Sequence, residues 1–436
     1  EHSFPTRRSS DLYEDYKDSG VEWIGKTPFQ WEVTRNKDIF EARGSLSDSG
    51  TETLLTVSHI TGVTRRTEKN VNMFMAETMK GYKLCEKGDL IINTMWAWMG
   101  ALGTSNEKGI CSPAYGVYKP RKNKDYFYRY FDYLYRTPKS IMEMTRNSKG
   151  IVSSRLRLYS KEFFQMKTSL PNHETQKTIA EYLDTKTAQI DRKIELLTQK
   201  TTKYGELKQS LINEIVTRGL DKTVEMKDSG IEWIGEVPEH WEVKRLKDYI
   251  EFSKGINASV YTQEYVKDEK NLGIYPVYSG QTENDGVMGL INSYEYSFSA
   301  PVIFVTTVGA KAMTTQLLNG AFSLSQNCAL LKNKASVDTS YVNYFLIVLF
   351  KEERKNIPAH MQPSLRIEDL KKHILIAPPI DEQKAIADYL DTKTAQIDLI
   401  IETINTQIEK LNELRKTLIN DVVTGKIKVY KEGETI

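Results

Sequence analysis

The chain has 436 residues, of which 39% are hydrophobic and 27% charged, a composition typical of a globular protein with two or three domains. No apolar run approaches the roughly 18 residues that a membrane span needs. Three cysteines are too few for a disulfide framework or a cysteine-rich zinc site, which favours a cytoplasmic location. The net charge of +2 neither requires nor excludes nucleic acid binding.

The first twelve residues are predicted to be foreign to the protein. Residues 2–12 read HSFPTRRSSDL, which resembles the translation of a short-read sequencing adapter. No apolar stretch follows the arginines, as it would in a secretory signal peptide. We therefore leave residues 1–12 out of the functional interpretation and expect that a few native N-terminal residues are missing.

The remaining chain is a tandem duplication. The segment KDSGVEWIGKTPFQWEV at 17–33 recurs as KDSGIEWIGEVPEHWEV at 227–243, and EYLDTKTAQID at 181–191 recurs as DYLDTKTAQID at 388–398. Such repeats predict two globular blocks, each followed by a helix, with the C-terminal tail packed near the start of the first block. The predicted bounds are 13–170 (first block), 171–217 (helix), 218–228 (linker), 229–377 (second block), 378–424 (helix) and 425–436 (tail).

The first block is predicted to be α+β, with strands at 89–92 and 116–118 and an aromatic core helix over 126–135. Between Arg121 and Lys161, eleven basic residues stand against three acidic ones, a net charge of +8. Clustered basic and amide side chains suit contacts with DNA phosphates and base edges. The candidate DNA contacts in this block are Arg146, Asn147, Lys149, Arg155 and Arg157.

A long helix is predicted after each block. Apolar residues recur at alternating spacings of four and three, which is the heptad pattern of a coiled-coil seam. About 43 residues at 1.5 Å each would span roughly 65 Å, and two such helices on one chain can pair antiparallel. The predicted seam comprises Ile190, Ile194, Leu197, Tyr204, Lys208, Leu211 and Ile215, then Ile397, Ile401, Ile404, Ile408, Leu411, Arg415, Leu418 and Val422.

The second block is also predicted to be α+β, with a strand over 301–308 and an aromatic helix over 341–350. Its charge is weaker, because eight basic residues between Lys332 and His373 stand against five acidic ones, a net charge of +3. Amide, imidazole and guanidinium groups in two polar segments could contact base edges. The candidate DNA contacts here are Gln326, Asn327, His360, Gln362 and Arg366.

No catalytic or metal centre is predicted. The segment 20–27 matches the phosphate-binding loop pattern formally, but bulky residues fill its middle and the second copy lacks the lysine. No pair of histidines has zinc-ligand spacing, and no glycine-rich dinucleotide loop is present.

These features together resemble the specificity subunit of type I restriction–modification systems, over residues 13–430. The resemblance rests on the DSGxEWIGxxPxxWEV and YLDTKTAQID repeats and on the helix starts HETQ (173–176) and IDEQ (380–383). The turn KGDL (87–90), followed by GALG (100–103), is also similar to the family. The second block departs from that turn and reads SAP at 299–301.

The resemblance implies that each block is a target recognition domain for one half of a bipartite DNA site. It implies a pseudo-two-fold arrangement in which an antiparallel coiled coil sets the unread spacer and docks partners. The subunit would have no activity alone. Two methyltransferase subunits would modify adenine, two ATP-driven translocating nuclease subunits would complete the complex, and S-adenosylmethionine, ATP and Mg would bind those partners.

Three other interpretations are compatible with parts of the sequence. The first is the recognition subunit of a related system in which one partner chain both methylates and cleaves. The second is a stand-alone nuclease, which would need a carboxylate or histidine constellation that we do not find. The third is a structural coiled-coil adaptor without DNA binding, which would not need the +8 segment.

Overall fold

The computed structural model describes residues 12–69, 77–152, 155–280, 284–334, 337–358 and 360–430. The chain divides into two compact units, unit 1 with residues 1–197 and 406–436 and unit 2 with residues 198–405. Each unit thus contains one globular block and part of each long helix. Apart from Leu12, the predicted adapter segment lies outside the described residues, as do residues 431–436 of the predicted tail.

Unit 1 contains the first block, which has the predicted α+β composition. Its strands are β1 (Tyr16–Asp18), β2 (Lys26–Pro28), β3 (Glu32–Arg35), β4 (Phe40–Ala42), β5 (Leu55–Ser58), β6 (Gly62–Arg65), β7 (Lys83–Cys85), β8 (Leu90–Asn93), β9 (Leu102–Thr104), β10 (Gly109–Cys111), β11 (Tyr115–Pro120) and β12 (Lys167–Leu170). Its helices are α1 (Asn36–Ile39), α2 (Tyr128–Tyr135), α3 (Pro138–Asn147), α4 (Ser160–Gln165) and the first part of α5 (His173–Arg218). The largest sheet has the order β4-β11-β8-β9, and a separate ladder pairs β12 with β3.

The core of unit 1 lies between this sheet and α2. Strand β8 is buried at all four positions, which explains the apolar run at its first three, Leu90 to Ile92. Helix α2 contributes Tyr130, Phe131 and Tyr135, whose side chains are completely buried. The aromatic residues of this helix therefore serve packing rather than base stacking.

Unit 2 contains the second block. Its strands are β13 (Met226–Asp228), β14 (Glu236–Pro238), β15 (Glu242–Arg245), β16 (Ile250–Lys254), β17 (Leu272–Tyr278), β18 (Val287–Ile291), β19 (Tyr296–Thr306), β20 (Thr315–Leu324), β21 (Cys328–Asn333) and β22 (Ile374–Ala377). Its helices are α6 (Leu246–Tyr249), α7 (Gln263–Lys267), α8 (Thr339–Lys355), α9 (Ile367–Leu370) and most of α10 (Ile380–Val423), with the remainder of α5. The main sheet has the order β16-β21-β19-β20-β17-β18, and β15 pairs with β22.

The two blocks share one topology although their sequences diverge. The antiparallel order β4-β11-β8-β9 of unit 1 matches β16-β21-β19-β20 of unit 2, with the same order along the chain. Unit 2 extends this sheet with the β17–β18 hairpin, which joins β20 through parallel pairing of β17. The duplication therefore extends to the fold of the blocks, beyond the segments where it is visible in the sequence.

The long helices run antiparallel and pair within each unit. In unit 2, Lys208 Nζ donates to both carboxylate oxygens of Asp398 at 2.6 and 2.7 Å. In unit 1, Arg415 Nε lies 3.0 Å from Asp191 Oδ1. Seventeen positions separate Asp191 from Lys208 and Asp398 from Arg415 alike, so both ion pairs have the same register. None of the fifteen predicted seam residues is exposed.

The repeated YLDTKT segment anchors each block to its helix. In unit 1, Tyr133 of α2 donates to Asp184 Oδ1 at 2.7 Å, and in unit 2, Tyr344 of α8 donates to Asp391 Oδ1 at 2.7 Å. Burial first, and then the neighbouring carboxylate, raises the pKa of Tyr344 to about 12. Both tyrosine hydroxyls therefore stay protonated and can donate to the aspartate. The repeated aspartate thus has the same structural role in both copies.

A buried glutamine fixes the start of each long helix. Gln176 Oε1 accepts a hydrogen bond from Phe127 N at 2.7 Å, and its Nε2 donates to the backbone carbonyl two residues before α5 at 2.8 Å. Gln383 Oε1 accepts from Asp338 N at 2.8 Å, and its Nε2 donates to the carbonyl two residues before α10 at 2.7 Å. Each glutamine therefore ties an aromatic helix of the block to a long helix.

The C-terminal tail packs against the N-terminal arm in unit 1, as predicted. Tyr16 Oη donates to the carbonyl of Gly425 at 3.1 Å. Gly425 has a φ of 75°, and a Cβ there would lie 2.5 Å from Pro28 Cδ, so only glycine fits this position. In unit 2, Gly219 occupies the matching place beside Trp241. In unit 1 this contact joins segments that are about 400 residues apart, whereas the matching segments of unit 2 follow one another closely along the chain.

Candidate nucleic-acid interface

A groove of about 870 Å³ opens in unit 2 where three loops meet. The loops follow β19, connect β20 to β21, and precede α9. Backbone hydrogen bonds join them, since Thr307 N donates to Asn327 O and Leu365 N donates to Thr307 O, both at 2.7 Å. These bonds hold three segments that are distant in sequence at one edge of the sheet. We call this cavity the unit 2 groove.

Polar side chains line the unit 2 groove. Gln326, Asn327 and Arg366, three of the predicted DNA contacts, line it together with Lys254 and Lys371. An adjoining cavity of about 350 Å³ shares the two amides and extends the polar surface. Within the described part of the chain, the side-chain amides make no hydrogen bond and Lys254 and Arg366 form no ion pair. These groups therefore face solvent with their hydrogen-bonding capacity available to a ligand.

Acidic and thiol groups complete the lining of the unit 2 groove. Lys371 pairs with Glu368 at 2.7 Å, and the hydrogen bond from Lys372 lowers the pKa of Asp369, which stays ionised. Burial raises the pKa of Cys328 to about 12, so its thiol remains neutral. The lining is consequently mixed in charge, and the two unpaired cations together with the amides give it the chemistry of a base-reading surface.

The other two predicted contacts of the second block lie on the loop beside the groove. A Cβ added to Gly309 would lie 3.9 Å from Gln362 Nε2, so this side chain is next to the loop that follows β19. Gly309 N also donates a hydrogen bond to Pro363 O at 3.1 Å. His360 is exposed two residues earlier. All five predicted residues of the second block therefore belong to two of the three loops that form the groove.

A matching loop arrangement occurs in unit 1. Leu158 N donates to Thr94 O at 2.9 Å, just as Leu365 N donates to Thr307 O in unit 2. Lys149 and Arg157 exchange two backbone hydrogen bonds of 2.8 Å and so form the base of a hairpin, with Arg155 on its return strand. We call residues 149–152 and 155–157 the basic hairpin. Lys149, Arg155 and Arg157 are exposed, and none of them forms an ion pair among the described residues.

The remaining predicted contacts of the first block are engaged within unit 1. Arg146 makes a bidentate ion pair with Glu22 at 2.7 and 3.1 Å, which lowers the pKa of Glu22. Asn147 Nδ2 donates to the carbonyl and to the carboxylate of Glu143. These two residues are therefore weaker candidates for DNA contact than the three of the basic hairpin.

The charge count along the sequence overstates the positive charge of the first block. Five of the eleven basic residues between positions 121 and 161 pair with acidic groups of unit 1, most of them outside that segment. These five are Arg121, Lys124, Arg129, Arg136 and Arg146. Of the six basic residues that remain, three lie together on the basic hairpin, and the other three are Lys122, Lys139 and Lys161.

Sequence reasoning missed several groove residues. Lys254 ends β16 outside any basic segment, and Lys371 follows α9 inside the 332–373 segment, but neither was predicted as a DNA contact. In unit 1, the exposed Trp96 follows β8 at the same edge of the sheet as the basic hairpin. The apolar sequences of β8 and β19 predicted those strands, but the residues that meet at their ends come from distant parts of the chain.

Among the described residues, no group of three or more His, Cys, Asp or Glu side chains could hold a metal ion. Among those same residues, no helix is long and apolar enough to cross a membrane.

Comparison with known proteins identifies the family. The model for the type I restriction modification DNA specificity domain matches residues 28–203 and 238–410. The chain belongs to this family, carries two of its domains in tandem, and recognises DNA sequence as part of a type I restriction–modification system. The prediction from the repeats is thereby confirmed.

Individual relatives agree with this assignment. The chain is 26% identical to the MjaVIII specificity subunit of Methanocaldococcus jannaschii over 340 residues, which cover 74% of the chain and 75% of that protein. It is 29% identical to the MpnII specificity subunit of Mycoplasma pneumoniae over 170 residues, which cover 39% of the chain and 48% of that protein. A further M. pneumoniae type I specificity subunit is 30% identical over 197 residues, 44% of the chain and 61% of that protein.

Solved structures show the same fold. A chain from a type I restriction–modification system, studied for complex assembly and conformational transition, superposes with a TM-score of 0.69 at 15% identity, covering 91% of this chain and 98% of that one. The HsdS subunit of Thermoanaerobacter tengcongensis superposes with a TM-score of 0.55 at 16% identity, covering 92% and 98%.

Proposed function

We propose that unit 1 reads one half of a bipartite DNA site and unit 2 reads the other, while the long helices set the unread spacer. The observation that carries this proposal is the matching cluster of loops in both units. Its solvent-facing groups are basic side chains in unit 1 and both amide and basic side chains in unit 2. Amides and guanidinium groups make bidentate hydrogen bonds to base edges, and different side chains on one scaffold give different half-sites.

Catalysis is assigned to partner subunits. Two methyltransferase subunits would modify adenine in each half-site, and two translocating nuclease subunits would complete the restriction complex. S-adenosylmethionine, ATP and Mg would bind those partners, while this chain supplies sequence recognition.

Base-modification mapping tests the proposed function. The chain, with residues 1–12 replaced by a start codon, would be expressed with its neighbouring methyltransferase gene in a host that lacks other adenine methylation. We expect long-read sequencing to show one split motif with an unread gap. A continuous motif, or no methylation despite a stable complex with the methyltransferase, would contradict the proposal.

Single substitutions should affect one half-site each. We expect Arg157→Ala to weaken binding or relax sequence preference in one half-site, and Arg366→Ala to do so in the other, each at a cost of about 1 to 3 kcal/mol if the residue reads a base. The measurement is binding of the assembled complex to duplexes with single base changes in each half. Arg146→Ala is the control, because Arg146 is already paired with Glu22. Unchanged binding by both test variants would remove these residues from the interface.

The exposed face of the repeated helical segment supports docking of two identical partners. Between 181–191 and 388–398, ten of eleven residues are identical, whereas only four of fifteen are identical between 192–206 and 399–413. Packing inside each unit accounts for the buried positions but not for the exposed ones. Apart from Asp191 and Asp398, which form the ion pairs of the seam, the identical exposed residues are Thr185, Ala188 and Gln189 in α5 and Thr392, Ala395 and Gln396 in α10.

The same face holds an ordered lysine in each copy. Lys186 Nζ lies 5.8 Å from the centre of the Tyr182 ring, and Lys393 Nζ lies 5.9 Å from that of Tyr389. Repeated exposed residues and the same lysine–tyrosine contact on both helices suit one partner bound twice. We assign these two surfaces to the methyltransferase subunits and expect an acidic partner surface opposite the lysines.

A charge reversal on this face tests the assignment. We expect Lys186→Glu combined with Lys393→Glu to abolish binding of the methyltransferase, and either single change to leave one bound copy per chain. The measurement is the mass of the co-purified complex by light scattering. The combination of Lys193→Glu with Lys416→Glu, exposed positions outside the face, is the matched control. Two bound copies in the double variant of the face would refute the assignment.

A further inference from the structure

An unusually exposed tryptophan stands beside the basic hairpin of unit 1. The side chain of Trp96 is 51% exposed, although tryptophan is a residue that proteins bury extensively. Its neighbour Met95 has its sulfur 3.8 Å from Arg157 Nη2. One residue earlier, the carbonyl of Thr94 accepts the hydrogen bond from Leu158 N at the end of the hairpin. The indole therefore projects from the same edge of the sheet as the unpaired cations.

The backbone holds this exposed indole in a fixed place. Trp96 N donates to Asn93 O at 3.0 Å, and Ala101 N donates to Trp96 O at 3.1 Å. The side chain of Asn93 is buried and accepts from Met95 N at 3.2 Å. Gly100 closes the turn with a φ of 83°. The exposed side chain of Trp96 therefore extends from a turn that backbone and side-chain hydrogen bonds hold in place.

The surroundings of Trp96 combine apolar and positive groups. Val152 of the basic hairpin is 51% exposed and Ile151 is fully exposed, while Lys149 and Arg155 flank them. A purely apolar patch would suit a protein partner, but cations without acidic partners next to apolar side chains suit duplex DNA. DNA-binding proteins use this combination, with cations on phosphates and apolar side chains inserted at base steps.

We propose that Trp96 is a wedge that inserts at a base step beside the half-site read by unit 1 and stacks on an exposed base. The proposal rests on the proposed function, because it places the duplex on the basic hairpin. The hydrogen bond from Leu365 N to Thr307 O in unit 2 corresponds to the one from Leu158 N to Thr94 O in unit 1 and so aligns the two turns. In this alignment Gly309 occupies the place of Trp96, because each lies two residues after the threonine. The wedge is therefore present on one side only, and the two half-sites are distorted unequally.

The test uses the assembled complex with the methyltransferase on a duplex that contains the mapped site. Permanganate oxidation of unstacked thymines, with thymine placed in turn at each position flanking the half-sites, reports an opened step. We expect enhanced reactivity beside one half-site with the wild-type complex, loss of that signal with Trp96→Ala, and partial retention with Trp96→Phe. Affinity for the specific site should fall about tenfold to a hundredfold in Trp96→Ala, as removal of a stacking aromatic does.

Trp98→Ala is the matched control, because the half-buried Trp98 donates from Nε1 to Met95 O and packs inside the unit. A permanganate pattern and affinity in Trp96→Ala that equal the wild type overturn the wedge. An equal loss of affinity for specific and nonspecific DNA in Trp96→Ala also overturns it. The same holds if uracil in place of thymine lowers the affinity of the wild-type complex as much as Trp96→Ala does, because that result would assign a contact with the thymine methyl group instead. Failure of the wild-type complex to bind DNA at all would reject the proposed function itself.

Discussion

A chain in which residues 246–373 are replaced by a second copy of residues 36–166 is expected to direct methylation to a site that contains the first half-site twice. The two copies should appear in opposite orientations, because α5 and α10 run antiparallel. The exchange keeps both long helices, both arms and both ion pairs of the seam. It replaces one whole block, including the loops that carry the candidate DNA contacts.

The structure explains why these boundaries are suitable. In unit 2 the block leaves and re-enters the scaffold side by side, where Arg245 pairs with Ile374 and Leu246 N donates to His373 O at 2.7 Å. In unit 1, the β3–β12 ladder ends in the same way, with Asn36 N donating to Met166 O at 2.8 Å. The graft therefore replaces a segment whose two ends already meet.

The contacts between block and helix should survive this exchange. The incoming Tyr133 finds the same aspartate and threonine, because Asp391 and Thr394 repeat Asp184 and Thr187. Modification mapping gives the result directly, and the reciprocal graft of residues 246–373 into unit 1 is the control that should give the second half-site twice. An unchanged asymmetric motif would show that sequence is read outside the grafted blocks.

Gln383→Leu is expected to destabilise unit 2 by about 2 to 4 kcal/mol, and Gln176→Leu to do the same to unit 1. Both glutamines are almost completely buried, with exposures of 1% and 0%. Leucine fills the volume but leaves a backbone N–H and a backbone carbonyl without partners, and each buried orphan costs about 1 to 3 kcal/mol. We expect the junction between the aromatic helix and the long helix to lose the most stability, because Gln383 is hydrogen-bonded at the start of both helices.

Denaturant unfolding with a domain-specific probe checks this expectation. Trp96 and Trp98 are located in unit 1, and Trp241 is buried in unit 2, so fluorescence of single-tryptophan derivatives separates the two transitions. Gln396→Leu is the control, because this glutamine is exposed on the repeated segment and should change stability little. If Gln383→Leu leaves the midpoint of unit 2 unchanged, the buried hydrogen bonds do not hold the helix junction.

The duplication made the architecture predictable. The repeats placed the long helices at 171–217 and 378–424, and the structure has them at His173–Arg218 and Ile380–Val423. The strict heptad spacing placed Lys208 and Arg415 in the seam, where each meets an aspartate of the opposite helix. These features follow from local periodicity and from comparing the chain with itself.

The candidate interface was less predictable, because its contacts are distant in sequence. Arg146 looked like a DNA contact until Glu22, 124 positions away, was found to pair with it. Lys254 lies in a segment with no local charge cluster, yet β16 brings it to the groove beside Arg366. The β17–β18 hairpin has no counterpart in the first block, so self-comparison could not reveal it.

The division of the chain has a consequence for its synthesis. Unit 2 is one continuous stretch, so all its parts have been translated once residue 405 is added. Unit 1 begins at the N-terminus but needs residues from 406 onward, including Gly425, against Tyr16 and Pro28. The block translated first is therefore completed last, and a nascent chain cut short before this final segment would contain all of unit 2 but only part of unit 1.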